Sequence, residues 1–245
     1  MIKVENDENL FKIIVPNGEG AILVESEILE GKNAKKIEVI IEDDANLEYV
    51  CFGKSGGHVS RSFSVGKDGN IKLFDFNFES GKSSSVIELV GAGARAETYG
   101  LFFGNEDHQF EIYNAVVHKA SNTKSNMLVK GILGGNAFAD YVGLVEVSKG
   151  AYGCEGYQKE DTLLLSSGAR VNAVPNLVIA NDDVKCSHGV TTTNLSEEKL
   201  FYLSSRGISD YESKRLVIQA HVVDILDRLG DEKFGSLVED IRSKI

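Results

Sequence analysis

Residues 91–97 read Gly-Ala-Gly-Ala-Arg-Ala-Glu, and this stretch decides the predicted fold together with two similar ones. Residues 166–172 read Ser-Ser-Gly-Ala-Arg-Val-Asn, and residues 148–153 read Ser-Lys-Gly-Ala-Tyr-Gly. In each, small residues, glycine and alanine precede a strand-like segment. Glycine lets the backbone turn sharply, so such stretches suit the corners of a coil that then begins a new rung. We interpret the three as equivalent corners. They favour a solenoid over a sandwich or a barrel, although no strict period emerges.

Short alternating segments occupy the chain from about residue 10 to residue 187. Residues 37–42, 71–78 and 110–117 show period-two patterning with β-branched or aromatic residues, which predicts half-buried strands. Small polar turns separate these segments, and no helical pattern lies between them, which argues against alternating strands and helices. The 25 glycines and two prolines likewise favour repeated turns between strands over a helical bundle.

After Gly189 the pattern changes from strand-like to helical. Asn194 or Ser196 can cap a helix that continues through residue 203, and Gly207 can end it. The chain is therefore predicted to consist of a β core over residues 1–190 and a helical region over residues 191–245.

A second helix is predicted to begin at Ser209, because Glu212 stands at the position of a capping box. Gly230 is expected to stop this helix, and residues 233–245 to form a short final amphipathic helix. One broad buried face is predicted from its apolar positions, which are Leu216, Ile218, Ala220, Val222, Val223, Ile225, Leu226 and Leu229.

The charge and the terminus of the chain exclude several classes of partner. Of its 245 residues, 26 are basic and 37 acidic, which gives a net charge of −11. Nucleic-acid binding depends on clustered lysine and arginine, so no such partner is expected. Residues 1–7 lack the apolar segment of a signal peptide, and no apolar run approaches the roughly 20 residues that span a bilayer. A soluble cytoplasmic protein without a membrane partner is predicted.

The three cysteines, Cys51, Cys154 and Cys186, form neither a disulfide framework nor a Cys-x-x-Cys zinc site. Cys186 and His188 lie two residues apart where strand-like sequence ends, so their side chains would share one face of an extended strand. Such a pair suits iron, an iron–sulfur cluster or zinc, or a thiolate activated by its neighbour. The structural alternative is that Cys186 is packed as a small apolar residue, since free cysteine is among the most buried residue types.

Several phrases occur in a fixed order in the second half of the chain. They are Tyr157-Gln158, residues 163–166 (Leu-Leu-Leu-Ser), residues 171–179 (Val-Asn-x-x-Pro-x-Leu-x-Ile), residues 182–191 (Asp-Asp-Val-Lys-Cys-Ser-His-Gly-Val-Thr) and residues 200–208 (Leu-Phe-Tyr-Leu-x-x-Arg-Gly-Ile). Together they resemble the SufB/SufD family, the scaffold components of the Suf iron–sulfur cluster assembly machinery. The resemblance is specific from about residue 113 to residue 229. It implies a right-handed parallel β-helix followed by carboxy-terminal helices.

The details resemble a compact SufD-type member more than a SufB-type one. In the SufB-type pattern, a cysteine implicated in cluster assembly follows the glutamine matched by Gln158, where this chain has Lys159. The same pattern has a glutamate where this chain has Gly189. The usual SufB ligand set is therefore not present residue for residue. The resemblance leaves Cys186 and His188 as the obvious pair of ligands, because His188 matches a histidine of the family pattern.

Cys154 is the next candidate ligand. It precedes Cys186 by 32 residues. We interpret this separation as about two rungs of the solenoid, so that the two thiols would stack on one face.

The resemblance also implies partners. SufB and SufD pair through the ends of their β-helices, and their terminal helices dock the SufC ABC-type ATPase. For this chain we expect a homodimer with a twofold axis near residues 180–190. Cys186 and His188 of two subunits would then surround one transiently held iron–sulfur cluster. The expected docking surface for a SufC-like ABC ATPase contains Tyr202, Arg206, Ile208 and Leu216.

Three functions remain open at this point. The first is a non-enzymatic cluster scaffold, and the second is a ligand-free partner that holds and regulates the ATPase. The third is a β-helix enzyme acting on polysaccharide through Asp182-Asp183 or Glu106-Asp107. It is disfavoured, because a chain without tryptophan is a poor sugar binder and acidic pairs in turns are usually solvated. Ser167 lacks the nucleophile elbow of a serine hydrolase. The other histidines, His58, His108, His118 and His221, are interpreted as surface or hydrogen-bonded core residues.

Overall fold

The computed structural model describes residues 2–7, 10–26, 36–53 and 56–229, together with residues 235 and 239. In this part of the chain, 15 β-strands form two sheets and two α-helices follow them. The first sheet contains, in spatial order, β1 Lys3–Asp7, β2 Leu10–Val15, β4 Lys36–Ile41, β6 His58–Val65, β8 Gly81–Leu89, β10 Gln109–His118, β12 Phe138–Val147 and β14 Arg170–Ile179. The second contains β3 Gly20–Val24, β5 Asn46–Phe52, β7 Asn70–Asn77, β9 Arg95–Gly104, β11 Lys124–Leu133, β13 Cys154–Leu164 and β15 Val184–Asn194. The helices are α1 Glu197–Ser205 and α2 Asp210–Leu229.

From β2 onward, the chain crosses from one sheet to the other at every strand, so two strands make one coil of a parallel β-solenoid. Apart from the antiparallel β1–β2 pair, each strand lies parallel to its neighbours in its sheet. The predicted solenoid is therefore confirmed. The coils are not uniform: Asn46 lies beside Asn70, 24 residues later, whereas Lys124 lies beside Glu155, 31 residues later. This variation explains why the sequence shows no strict period.

The first six corners that lead from the first sheet to the second each contain one residue with left-handed backbone. In successive coils this residue is glycine, aspartate or asparagine, the types that adopt such a conformation most easily, and it is Gly18, Asp44, Asp68, Gly93, Asn122 and Gly153. Its N–H bonds to a carbonyl of the next corner, as from Gly93 to Ser121 at 3.1 Å. Two of the three predicted corners, residues 91–94 and 148–153, belong to this set. The third, residues 166–169, lies at the opposite corner, so the predicted equivalence of all three is wrong.

The core lies between the two sheets and is made by alternation along each strand. Ile37, Val39 and Ile41 are fully buried, while Glu38 on the other face is only partly buried, as the period-two pattern predicts. The apolar cluster between the sheets runs from Phe11 to Ala169. Most coils thus contribute inward side chains to this cluster, and Val147, Ala151 and Cys154 form a smaller one near the carboxy-terminal end.

A charged network interrupts this apolar core in its amino-terminal half. Arg61, Glu25 and Asp75 are at most 2% exposed. The guanidinium of Arg61 donates two hydrogen bonds to the Glu25 carboxylate, at 2.5 and 2.9 Å, and a third to Ser83 Oγ at 3.0 Å. Asp75 accepts from the Asn77 amide at 3.0 Å, and burial raises the pKa of Asp75. The network stabilises the interior only as a complete set, because a buried charge without its partner is costly.

Both helices begin at the predicted caps. The Ser196 hydroxyl accepts from Lys199 N at 3.3 Å, and Ser209 and Glu212 bond each other's backbone N–H groups in a capping box. The last strand ends at Asn194 rather than at residue 190. Gly230 and almost all of residues 233–245 lie outside the described residues.

Helix α2 packs along the outer face of the second sheet. Its buried apolar side chains, Ile218, Val222, Ile225, Leu226 and Leu229, contact outward residues of the strands such as Phe74, Tyr99, Leu101 and Leu163. Arg228 donates to the Tyr99 hydroxyl at 2.9 Å. The predicted buried face is too broad, since Leu216, Ala220 and Val223 are exposed. Where it is described, no helix is both long and apolar enough to cross a membrane.

Candidate functional site

The site lies in the terminal coil, which consists of β14 and β15. Each of these strands is the last of its sheet, so each is paired along one edge only in the described part of the chain. Side chains that face the interior in earlier coils are partly exposed here, including Val190 and Ile179, each 39% exposed. The solenoid therefore ends in a free backbone edge and an open interior.

Cys186 and His188 lie on β15 and face the interior side of this coil. Their register partners on β13 are Gly156 and Gln158, which are both buried inside the solenoid. Cys186 is half-buried and His188 is exposed. The side chains of the two therefore share one face, because they are two residues apart in an extended strand.

Cys154 faces the same interior from β13, one strand earlier in the second sheet. Its register partner is Val184, two residues before Cys186, so the two thiols are staggered by one inward position. Cys154 is fully buried with Val147 and Ala151, and Cys186 packs against that cluster. The 32-residue separation is thus about one coil, and the predicted two rungs are wrong, because the coils here are longer than those near the amino terminus.

A buried histidine lies beside the two cysteines. His118 on β10 is fully buried, and its ring nitrogens bond Thr123 Oγ1 and Ser125 Oγ, each at 2.8 Å. Thr123 Oγ1 is also 3.2 Å from Cys154 Sγ. Burial lowers the pKa of His118 to about 4, so the imidazole is neutral at pH 7. We call these residues, with Cys186, the inner thiol cluster.

Gly156 allows the inner thiol cluster to come together. A Cβ atom at this position would lie 3.3 Å from His118 Nε2, 3.4 Å from Cys186 Sγ and 2.7 Å from a methyl group of Val145. A larger residue would therefore push the strands apart. The prediction that His118 is a hydrogen-bonded core residue agrees with its contacts, but sequence reasoning missed its position next to the cysteines. Only the coil length, which local sequence does not reveal, brings these residues into contact.

Burial affects the protonation of the half-buried thiol of the cluster. Burial raises the pKa of Cys186, so its thiol is mainly protonated at neutral pH. A metal ion would have to displace that proton to bind the sulfur. Among the described residues, no group of three or more His, Cys, Asp or Glu side chains is arranged to hold a metal ion. In its described part, the chain thus has a half-buried thiol and an exposed imidazole at its open end, a second thiol buried behind them, and no complete metal site.

The third cysteine lies elsewhere. Cys51 on β5 is fully buried, its thiol donates to Phe74 O at 3.4 Å, and burial raises its pKa well above the usual value. It does not belong to the inner thiol cluster. A groove of about 780 Å³ on the outer face of β3, β5, β7 and β9 is also remote from β15 along the solenoid.

The residues predicted to dock a partner lie on the helices. Tyr202 is 58% and Leu216 46% exposed, whereas Ile208 is half-buried. The Arg206 guanidinium lies 5.4 Å from the centre of the Tyr202 ring. Helix α1 has no buried residue, and Phe201 is 76% exposed, a residue that the sequence prediction left out. The result is an exposed aromatic surface next to the start of α2.

The acidic pairs considered for polysaccharide hydrolysis lie in turns. Asp182 and Asp183 are exposed at the corner before β15, and Glu106 and Asp107 are exposed at the corner before β10. Asp107 also accepts a hydrogen bond from the Asn136 amide at 3.2 Å. Neither pair lies in a buried or enclosed position.

A sequence model described as the SufBD core domain of SUF-system FeS cluster assembly matches residues 9–221. The chain belongs to this family. Similar proteins include iron–sulfur cluster assembly SufBD family proteins of three organisms. The one from Mycobacterium tuberculosis is 30% identical over 213 residues, which cover 81% of this chain and 54% of the relative. The one from Mycobacterium leprae is 29% identical over 199 residues, covering 79% of this chain and 23% of the relative.

The third relative, from the alga Porphyra purpurea, is 27% identical over 218 residues, which cover 80% of this chain and 43% of the relative. The SufBD core chain described here thus spans about half or less of the length of these relatives. The matched region includes the whole terminal coil and the first half of α2.

Proposed function

We propose that this SufBD chain is a scaffold component on which iron–sulfur clusters are assembled, in a complex with a SufC-like ABC ATPase. Membership of the SufBD core family and the names of its relatives support this role. The observation that carries it is the incomplete thiol and imidazole set at the open end of the solenoid. A surface of this kind suits a transiently held cargo, because a resident metal would require a complete set of ligands in a fixed geometry.

The cluster is the cargo of this site, and the chain's own residues would hold it. Cys186 would ligate iron once iron has displaced its thiol proton, since thiolate is the form that binds metal. His188 is exposed next to it and can supply an imidazole nitrogen. Cys154 is the third candidate, and it would need a shift of the terminal coil to become accessible, because it is fully buried.

A homodimer would complete the site. Each chain presents two candidate ligands, Cys186 and His188, near the free edge of β15. Two copies related by a twofold axis would bring four ligands together. The exposed apolar side chains of the terminal coil, among them the interior-facing Val190 at 39% exposure, support this pairing because no described residue of the same chain covers them.

The partner ATPase would dock on α1 and the start of α2. Phe201, Tyr202 and Tyr211 are 76%, 58% and 75% exposed, and aromatic side chains of this kind often dominate the binding energy of an interface. Changing Phe201 and Tyr202 to serine should abolish co-purification with a SufC-type ATPase. Tyr152→Ser is the matched control, because Tyr152 is 56% exposed at a corner of the solenoid. Unchanged co-purification of the double variant would contradict this docking site.

Reconstitution tests the scaffold function. The purified protein, alone and with its ATPase, is incubated anaerobically with iron and sulfide, and the visible absorbance of a bound cluster is recorded. We expect absorbance from the wild type, its loss in Cys186→Ser, and wild-type behaviour in Cys51→Ser, which removes a cysteine remote from the site. Absence of cluster absorbance with and without the ATPase, or equal absorbance of the two variants, would contradict the ligand assignment.

A second candidate is a ligand-free structural partner that only holds and regulates the ATPase. Lys159 and Gly189, which stand where the SufB-type pattern has a cysteine and a glutamate, favour it. This alternative requires that replacing all three cysteines by serine leaves complex formation and cellular function intact. Loss of cellular function with an intact complex would exclude it.

A further inference from the structure

The interior of the solenoid contains polar side chains whose oxygen atoms have no hydrogen-bond partner. Among the described residues, Thr98 Oγ1, Asn114 Oδ1, Gln158 Oε1 and Glu160 Oε2 are buried atoms of this kind. The side chains are hardly accessible, with the four residues at 5%, 6%, 5% and 2% exposure. Three of the four atoms are acceptors. Burying an acceptor without a hydrogen-bond donor costs free energy. We therefore expect a donor or a cation from outside the chain to bind these oxygen atoms.

The orientation of two of these acceptors is fixed by their other atoms. The amide nitrogen of Gln158 donates to the backbone carbonyl of Asn176 at 2.9 Å, so its carbonyl oxygen is the unpaired end. The Thr162 hydroxyl bonds Oε1 of Glu160 and leaves Oε2 without a partner. Both oxygens come from inward positions of β13, two residues apart, and they therefore lie on one face of the strand.

Oxygens of the opposite sheet face the same layer. A Cβ atom at Gly143 would lie 2.5 Å from Gln158 Oε1 and 2.9 Å from the Tyr141 hydroxyl oxygen. Asn114 is the register partner of Gly143 on the neighbouring strand. The Glu160 carboxylate is close enough to add to the rise in the pKa of Tyr141 that burial causes. The hydroxyl of Tyr141 lies 3.2 Å from Met127 Sδ, to which it donates, so this proton is already engaged.

Among the described residues, no cation is paired with the Glu160 carboxylate, whereas Asp75, the other acid that acts on Tyr141, is close to Arg61. Burial raises the pKa of Glu160 to about 7. The ammonium group of Lys130 lies 3.0 Å from Asp161 on the outer face of the sheet. It lowers the pKa of Glu160 less than burial raises it. Above neutral pH the Glu160 carboxylate is therefore a buried anion among neutral oxygens, an arrangement that a bound cation would stabilise.

We propose that Asn114, Gln158 and Glu160 form an internal binding site for one monovalent alkali cation, Na⁺ or K⁺. Carboxylate and amide oxygens are hard ligands that suit such ions. The charge count favours a monovalent ion, because it neutralises the single carboxylate, whereas a divalent ion would leave a net positive charge in the interior. The site lies one coil inside the open end, since the register partner of Gln158 is the exposed His188. It is independent of the proposed scaffold function.

Thermal unfolding tests the proposal. The full chain is melted at pH 8.5 in NaCl, in KCl and in tetramethylammonium chloride at equal ionic strength. We expect NaCl or KCl to raise Tm by about 3 °C or more over tetramethylammonium chloride, with saturation as the cation concentration rises. Glu160→Gln should abolish this difference. Glu155→Gln should keep it, because Glu155 lies on the outer face of the same strand and pairs with Lys124.

Crystals soaked in RbCl or thallium(I) acetate test the position of the site. We expect one anomalous peak bounded by the oxygens of Asn114, Gln158 and Glu160. This result and the wild-type salt comparison decide the question even if Glu160→Gln fails to fold. The proposal is overturned by equal Tm values in the three salts together with no anomalous peak, which would assign the layer to water or a protonated Glu160. A stabilisation produced only by Mg²⁺ or Ca²⁺ would overturn it as well.

Discussion

Individual polar side chains inside the solenoid differ in whether their hydrogen bonds are complete. Around Arg61, the hydrogen bonds are complete. The guanidinium donates two of them to the Glu25 carboxylate and a third to the Ser83 hydroxyl. Around Glu160 the acceptors outnumber the donors, and one carboxylate oxygen has no partner. A complete network needs nothing further, whereas an incomplete one implies an additional group. This difference makes Arg61 a stability residue and Glu160 a candidate ligand.

Replacing Arg61 by methionine should lower the free energy of unfolding by about 3–5 kcal/mol, because it leaves the Glu25 carboxylate buried without its cationic partner, with only the Tyr49 hydroxyl still donating to it. Urea unfolding at pH 7 measures the loss. The control is Lys119→Met, which removes a half-exposed ion pair with Glu88 and should cost less than about 1 kcal/mol. Equal losses for the two variants would show that the buried network contributes no more than a surface pair.

His118 should make the protein less stable in acid. Its folded-state pKa of about 4 lies below the usual 6.5, so the unfolded chain binds a proton that the folded chain does not. The resulting stability is present above pH 6.5 and is lost as the pH falls towards 4, by about 2 kcal/mol between pH 7 and pH 5.

Urea unfolding at these two pH values measures the effect of His118. His118→Gln should lose less stability than the wild type between them, and His58→Gln, at an exposed position, should match the wild type. A pH dependence that His118→Gln leaves unchanged would mean that the buried imidazole titrates normally.

At the scale of single elements, propensity and packing decide different things. The caps of both helices follow from local sequence, since Ser196, Ser209 and Glu212 bond groups within three residues of themselves. The buried face of α2 does not follow from it. Its apolar residues surround more than half of the helix, and only the sheet beneath determines which of them are covered. Val222 and Val223 show this outcome directly, at 0% and 46% exposure.

These two valines provide a matched test of helix packing. Val222→Ala should lower the free energy of unfolding by about 2 kcal/mol, because it removes two methyl groups from a close-packed site against the second sheet. Val223→Ala should change it by less than about 0.5 kcal/mol. Thermal or urea unfolding of the two variants measures the difference. Similar losses at both positions would mean that α2 is covered on both faces in solution.

At the scale of the whole molecule, the solenoid is finite, and β15 at its carboxy-terminal end has one edge that pairs with no described strand. Along β15 and its two flanking residues, the backbone groups of odd-numbered residues form the hydrogen bonds to β13. Leu195 N donates to Leu164 O, and Asp183 O accepts from Gly153 N. Backbone groups of even-numbered residues therefore point to the free edge. A monomer with such an edge is prone to pair with another chain, which agrees with the proposed homodimer.

Proline substitutions on β15 can separate pairing from folding. Thr192→Pro removes an N–H from the free edge and should convert the dimer to a monomer, with little loss of stability, because edge strands tolerate proline there. Thr191→Pro removes an N–H that bonds to β13 and should destabilise the terminal coil by about 1–2 kcal/mol. Analytical ultracentrifugation and thermal unfolding measure the two effects. A monomeric wild type, or a Thr192→Pro variant that still dimerises, would contradict the homodimer.

The sequence by itself determined the features that depend on neighbouring residues. Period-two alternation predicted strands such as β4 and β10, glycine-rich phrases predicted the corners, and the phrases around Gln158 and Cys186 identified the SufBD family. Strand alternation, corner phrases and family phrases are all patterns of residues close together in the sequence. Each can therefore be recognised from a short segment.

Only the tertiary structure decided which distant residues meet. The coil lengthens from 24 residues near β5 to 31 near β11, and this change places Cys186 one coil after Cys154, staggered by one inward position, and close to His118. It also brings Gln158 close to Gly143, whose register partner is Asn114. Stacking depends on the summed length of every strand and corner in a coil, and no local pattern encodes that sum. The site at the open end is therefore a property of the assembled solenoid.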